Sequence, residues 1–179
     1  MNILTFASTT NCRQALLSSV KHLLITVIPG LVRRLERRTG RLKTEPVDRN
    51  KSLQDIDGED WGEPTYDSHL VKECHRLRRV PLCQFGVEDL RIMIGQHIGM
   101  EHLMPLAVEH LRADPLTEGA YYSGDLLAAA LRTGKEFWQQ HPDWKREVAA
   151  IAEHVAPFLS SNEALLEACA SFRRDVSSA

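Results

Sequence analysis

The sequence predicts an all-α fold, a single compact bundle of about six helices behind a basic, poorly ordered N-terminal extension. Three observations carry that expectation. Apolar residues recur at spacings of three and four along most of the chain from Ser52 onward, the period of a helix with one buried face. Capping and stop residues punctuate those stretches. No segment shows the apolar-polar alternation of a strand or the dipeptide of a hairpin turn.

The helices follow in order. Asp67-Ser68 can cap a first one, whose face is Leu70, Cys74 and Leu77 and which Pro81 ends. Val87, Leu90 and Ile94, with Met93 beside them, make a second stripe, stopped at Gly95. Leu103, Leu106, Ala107, His110 and Leu111 form a third, closed by Asp114-Pro115; Pro105 fits it only in the first turn, where no backbone donor is needed. Ser123-Gly124-Asp125 opens a fourth with Leu127, Ala130 and Leu131 inward and Gly134 after it. Pro142 suits the first turn of a fifth, striped by Trp144, Val148, Ile151 and Val155. Ser160-Ser-Asn-Glu163 reads as a capping box for the last, with Leu165, Cys169 and Phe172 inside. Loops are short, so consecutive helices pack as neighbours.

Charge divides the chain. Residues 1–43 hold eight Lys or Arg against Glu36 alone, a net +7, so the remainder carries −9 to reach the overall −2. Such asymmetry concerns partners more than fold. The apolar run Leu23-Leu-Ile-Thr-Val-Ile28 is broken by Pro29-Gly30 and is too short to span a membrane; most of the positive charge follows it, at Arg33–Arg41, the reverse of a secretory signal. Thr44–Lys51 reads as a linker. The expected division is therefore an extension and linker over 1–50 and a helical domain over 51–179. Cys12, Cys74, Cys83 and Cys169 show no paired spacing, and two fall on apolar stripes, which fits a reduced protein of the cytoplasm better than a disulfide framework.

The segment Gly58-Glu-Asp-Trp-Gly-Glu-Pro-Thr-Tyr-Asp-Ser-His-Leu70 mixes acids, turn residues and large aromatics. Asp55, Asp57, Glu59, Asp60, Glu63 and Asp67 crowd one span, with Trp61 and Tyr66 read as anchors holding the loop to the core. Some of these acids suit helix N-termini. The rest repel one another, and a basic partner would relieve them. Interface and solvated structural loop both stay open. Tyr121, Tyr122 and Asp125 make a second aromatic-acidic turn at a helix start and are candidates for the same surface.

Other chemistry is thin. His97, His102 and His110 near Glu101 and Glu109 do not form a metal-ligand spacing; no metal and no cofactor are expected. No Gly-rich phosphate loop or nucleophile elbow occurs, and Arg76-Leu-Arg-Arg79 suits a helix C-terminus, so direct nucleic-acid binding is not called for. Arg91-Ile-Met-Ile-Gly-Gln-His97 satisfies the loose Arg-x(4–6)-His pattern of the all-α HEPN ribonucleases, although Ile92 stands where those enzymes usually carry a polar residue. A HEPN-like ribonuclease using Arg91 and His97 is the alternative reading, and a generic protein-interaction module is another.

A set of motifs in order carries a more specific resemblance: Ser52-Leu-Gln-Asp, Glu59-Asp-Trp-Gly-Glu-Pro-Thr-Tyr-Asp-Ser68, Cys74-His-Arg-Leu-Arg78, Leu82-x-x-Phe85, Val87-Glu-Asp-Leu-Arg-Ile-Met-Ile-Gly-Gln96, Leu103-Met-Pro-Leu-Ala107, Tyr121-Tyr-Ser-Gly-Asp-Leu-Leu127 and Phe137-Trp138. Together, over about Asn50 to Ala156, they resemble the immunity proteins of contact-dependent growth inhibition (CDI) systems, the CdiI family. The resemblance implies a helical, non-enzymatic, cytoplasmic protein that binds the C-terminal toxin domain of a CdiA-type effector one to one and occludes it. The basic extension departs from the family pattern.

Overall fold

The computed structural model describes residues 47–159 and 162–177. The expected basic extension over residues 1–43, and Ser160 in the expected cap, lie outside them. Eight α-helices follow one another among the described residues: α1 Leu53–Asp57, α2 His69–Arg78, α3 Val87–Gly95, α4 Met100–Ala113, α5 Asp125–Leu131, α6 Lys135–Gln140, α7 Pro142–Val155 and α8 Glu163–Ser177. Short 3-10 turns occupy Leu82–Gln84 and Ala156–Phe158. No strand occurs among the described residues, only isolated bridges joining Ser52 to Pro81 and Glu118 to Ser123. All six expected helices are present, and α1 and α6 add to them.

Local chemistry accounts for the ends. The Asp55 N–H donates to Ser52 Oγ at 3.2 Å while the Ser52 N–H donates back to the Asp55 carboxylate at 2.9 Å. This reciprocal box satisfies two amides that a helix start otherwise leaves without partners. Pro142 is the first residue of α7, as its fixed φ favours. The cap of α8 is Asn162, whose Oδ1 accepts from Leu165 N–H at 3.1 Å. Asn162 stands next to the first helical residue, the place from which a side chain reaches the third amide, two residues after the Ser160 of the expected box. Pro105 lies in the second turn of α4, not the first. It gives up the amide that would reach the carbonyl of Glu101, an exposed residue whose carbonyl has water as an alternative partner. His110, expected on the inner stripe of α4, is exposed.

α3 packs against α2, α4 and α5, and α7 bridges α4 to α8, which also covers α5. The core is filled by Leu90, Met93 and Ile94 of α3, Leu103, Ala107 and Leu111 of α4, Leu126, Leu127 and Ala130 of α5, and Val148, Ile151 and Val155 of α7. Leu165, Cys169 and Phe172 of α8 complete it. Each large apolar side chain so buried contributes about 1.5–3 kcal/mol. The start of α5 shows how tightly α8 is seated. Gly124 takes φ +87°, and a Cβ there would lie 2.7 Å from Leu165 Cδ2. Only glycine satisfies both the backbone and the contact.

The expected boundary at residue 51 falls inside a docked segment. Val47 packs on the core, Cys83 N–H donates to the Arg49 carbonyl at 2.7 Å, Leu82 N–H donates to the Lys51 carbonyl at 3.0 Å, and Arg49 meets Glu109 at 2.5 Å.

Candidate functional site: two acidic aromatic loops

The loop between α1 and α2 is organised by a residue that the sequence did not single out. Arg78 ends α2 on its buried face, 3% exposed. Its guanidinium donates to the Asp57 carboxylate at 3.0 Å and to the Glu59 carbonyl at 3.0 Å, and lies over the Trp61 ring, 4.3 Å from its centroid. The Trp61 edge meets His75 in a T-shaped contact at 5.4 Å. His75 Nδ1 is 3.1 Å from the Gly62 carbonyl, so Nδ1 is the protonated nitrogen. Arg79 donates to the same carbonyl at 2.9 Å and lies within ion-pair distance of Asp60 and Glu63, at 3.7 and 3.6 Å. Lys72 pairs with Asp67.

These contacts change the reading of the acids. Their mutual repulsion is met in part within the chain by Lys72, Arg78 and Arg79, which belong to α2 and its C-cap. Asp55 is committed to the α1 cap, where Ser52 bonds hold its carboxyl below the usual range. Asp57 faces the buried Arg78, with His102 4.0 Å away. Glu59, Asp60, Glu63 and Asp67 are exposed. The expected anchors differ from one another. Trp61 is 40% exposed and held by Arg78 and His75, while Tyr66 is 71% exposed and stands in solvent. Neither is a core aromatic, because the glycines and Pro64 carry the loop over the surface of α2 rather than into the bundle.

The second loop, between α4 and α5, is built around Asp125. This carboxylate is buried, 3% exposed, and accepts from the Gly119 N–H at 2.8 Å and the Tyr121 N–H at 3.2 Å. It therefore holds the turn and is not presented at the surface, contrary to its expected place among the exposed candidates. A Cβ on Gly119 would sit 2.7 Å from Glu88 Oε2 and 2.8 Å from Asp125 Oδ2, so glycine lets the backbone approach both acids. Glu88 accepts the Ala120 N–H at 2.8 Å and two bonds from Arg91, at 2.7 and 2.6 Å. The Arg91 bonds, and after them Ala120, hold the Glu88 carboxyl below its ordinary range; the same bonds raise Arg91. Arg91 also lies over the Tyr121 ring, 4.6 Å from the centroid. The clamp leaves Tyr121 73% exposed and Tyr122 37% exposed.

A cleft of about 400 Å³ beside this loop is lined by Arg91, His97, Tyr121, Tyr122 and Arg132 among others. Arg91 and His97, the pair of the ribonuclease alternative, thus share one cleft. The guanidinium is already engaged by Glu88, leaving it little charge to offer a phosphate. His102 and His110 lie elsewhere on α4. Among the described residues, no group of three or more His, Cys, Asp or Glu could hold a metal ion, and no helix is long and apolar enough to cross a membrane.

Both loops fall within a recognisable stretch of sequence. Comparison with curated proteins and with solved structures gives no match. A family model does match, over residues 55–148, more than half of the 179-residue chain. The matched span runs from α1 into α7 and holds both loops, Arg78, the Glu88–Arg91 clamp and Asp125, whereas α8, which completes the core, follows it. The family is that of the CDI immunity proteins, and the chain belongs to it.

Proposed function

We propose that this immunity protein binds one to one the C-terminal toxin domain of its cognate CdiA-type effector in the cytoplasm, and neutralises it by occluding the active site or the approach of substrate. It acts by binding and catalyses no reaction of its own. One observation carries the reading: Trp61, Tyr66, Tyr121 and Tyr122 are all exposed, all within the family-matched span, and all in two loops braced from behind by buried charge. Exposed aromatics on a rigid support are what interface hot spots are made of. They offer large contact area at low entropic cost.

In this reading Glu59, Asp60, Glu63 and Asp67 surround the aromatics and meet basic toxin groups, while Asp55, Asp57 and Asp125 keep the loops in shape. A toxin that acts on nucleic acid needs a cationic site for phosphate, and an acidic surface both fits it and speeds encounter. The test is co-expression with the toxin domain encoded immediately upstream. Growth should be restored, and the two proteins should co-purify one to one. A Tyr66→Ala, Tyr121→Ala double variant should melt as the wild type does and fail to protect. Absence of both protection and complex would sink the proposal. RNA cleavage lost in Arg91→Ala or His97→Ala would establish the ribonuclease reading instead.

A further inference from the structure

The C-terminus of α3 is closed by a residue type that the backbone does not favour. Ile98 N–H donates to the Met93 carbonyl at 2.9 Å and His97 N–H to the Ile94 carbonyl at 3.0 Å, the paired bonds of a Schellman motif. The residue at its left-handed position is His97, at φ +57°. Helices ordinarily place glycine there, since a Cβ strains that conformation. His97 is exposed, so packing does not compensate the strain. What the imidazole gains is a place on the cleft.

The charge of that cleft is uneven. Arg91 is matched by Glu88 and lies 3.8 Å from the Asp125 carboxylate. Arg132, the C-cap of α5, is exposed and forms no ion pair among the described residues. These four charges sum to zero, but Asp125 is buried on backbone donors, so the charge left exposed is the Arg132 cation. Beside it stand His97, a donor at either ring nitrogen according to tautomer, and the exposed ring of Tyr121. We propose that this cleft receives an acidic side chain of the toxin domain, its carboxylate meeting Arg132 and His97 and its stem lying against Tyr121. The inference rests on the reading that the toxin docks on this face. The cleft's volume of about 400 Å³ holds a side chain with room to spare. Its sign is opposite to that of the loop between α1 and α2, so the two would fix the toxin's orientation, because a partner docked in reverse would set like charges together.

The experiment compares wild type, His97→Gly and Arg132→Gln by thermal melting and by titration calorimetry against the toxin domain encoded immediately upstream, at low and high salt. His97→Gly should melt at or above the wild-type temperature and yet bind more weakly. Arg132→Gln should melt unchanged and bind roughly tenfold more weakly at low salt, the deficit shrinking as salt rises. Wild-type affinity in both variants would overturn the proposal while leaving the immunity reading intact. No complex with the wild type would overturn that reading and this one with it. A lower melting point for His97→Gly would show the histidine to be structural and remove it from the site. Binding of a single-stranded RNA oligonucleotide, lost in Arg132→Gln, would assign the cleft to phosphate instead.

Discussion

Replacing Arg78 by methionine tests whether one buried cation holds the acidic loop. The side chain loses two charge-assisted bonds, to Asp57 and to the Glu59 carbonyl, and its place over Trp61. Breaking a buried ion pair costs about 3–5 kcal/mol when the survivor stays buried. Here the Asp57 side chain is 30% exposed and can recover water, so the lower part of that range applies. Methionine fills most of the vacated volume and removes the buried Nε, which has no partner among the described residues. We expect a net loss of about 2–3 kcal/mol. For a domain of this size that lowers the melting temperature by on the order of 6–15 °C. Arg78→Lys should recover little, since an ammonium cannot reproduce the fork or the stacked plane. By contrast Arg79→Met, which removes only exposed contacts, two long ion pairs and a bond to the Gly62 carbonyl, should change stability by no more than about 1 kcal/mol. Chemical denaturation gives the energies, and amide exchange over residues 58–66 should rise in Arg78→Met alone. Equal stabilities for Arg78→Met and Arg79→Met would refute the reasoning.

Other outcomes follow from the same contacts. Asp125→Asn keeps one acceptor oxygen but turns an NH2 donor toward the other of its two backbone donors in a buried turn; it should cost about 1–3 kcal/mol, and unchanged denaturation would show that the turn holds without the carboxylate. Glu73 and Glu88 are held below the ordinary glutamate value of 4.5 by Arg76 and Arg91. Their contribution is therefore present above pH about 4.5 and is lost as pH falls through the folded-state values; melting at pH 7, 4.5 and 3 should show the decline in the last interval, and Glu88→Gln should lessen it. Cys83 is exposed, while Cys74 and Cys169 are buried, with the Cys169 thiol pushed up to about 11 by desolvation. A thiol reagent should modify Cys83 in the native protein and reach Cys169 only on unfolding; rapid native labelling of Cys169 would contradict its burial.

Periodicity made the long helices legible because each presents its buried face at least twice within the element: Trp144, Val148, Ile151 and Val155 repeat the stripe of α7 over four turns. It failed for α1 and α6. The six residues of α6 hold one fully buried side chain, Trp138, whose partner Phe172 lies on α8, 5.4 Å away between ring centroids, and the adjacent Phe137 only partly covers the core. Two adjacent apolar residues make no period. Arg78 was missed for a related reason. At the C-terminal end of a helix an arginine already has a local explanation in the dipole, although it stands four residues after buried Cys74, on the apolar face. That position was the available clue. The role of Asp125 was hidden because its partners are amides of a loop whose path no local pattern specifies. The positions of the exposed aromatics were visible in the sequence; their freedom from the core was not.

The internal pairing of the acidic loop does not weaken its case as a binding surface. The segment holds six carboxylates, and three cations, Lys72, Arg78 and Arg79, are spent on four of them, so three negative charges remain uncompensated. They are enough to draw in a basic partner at low salt. The pairs also differ in how readily they can be exchanged. Lys72 and Arg79 hold exposed acids in water, where an ion pair is worth little, so an incoming toxin arginine can replace either with small net loss. Arg78 cannot be replaced in that way, because its own desolvation is already compensated by Asp57, Glu59 and Trp61 together. The loop therefore combines a fixed interior attachment with exchangeable exterior ones. On the proposed reading, charge neutralisation at Glu59, Asp60 and Glu63 should slow association without loosening the loop, whereas any change at Asp57 or Arg78 should disturb the loop first and binding in consequence.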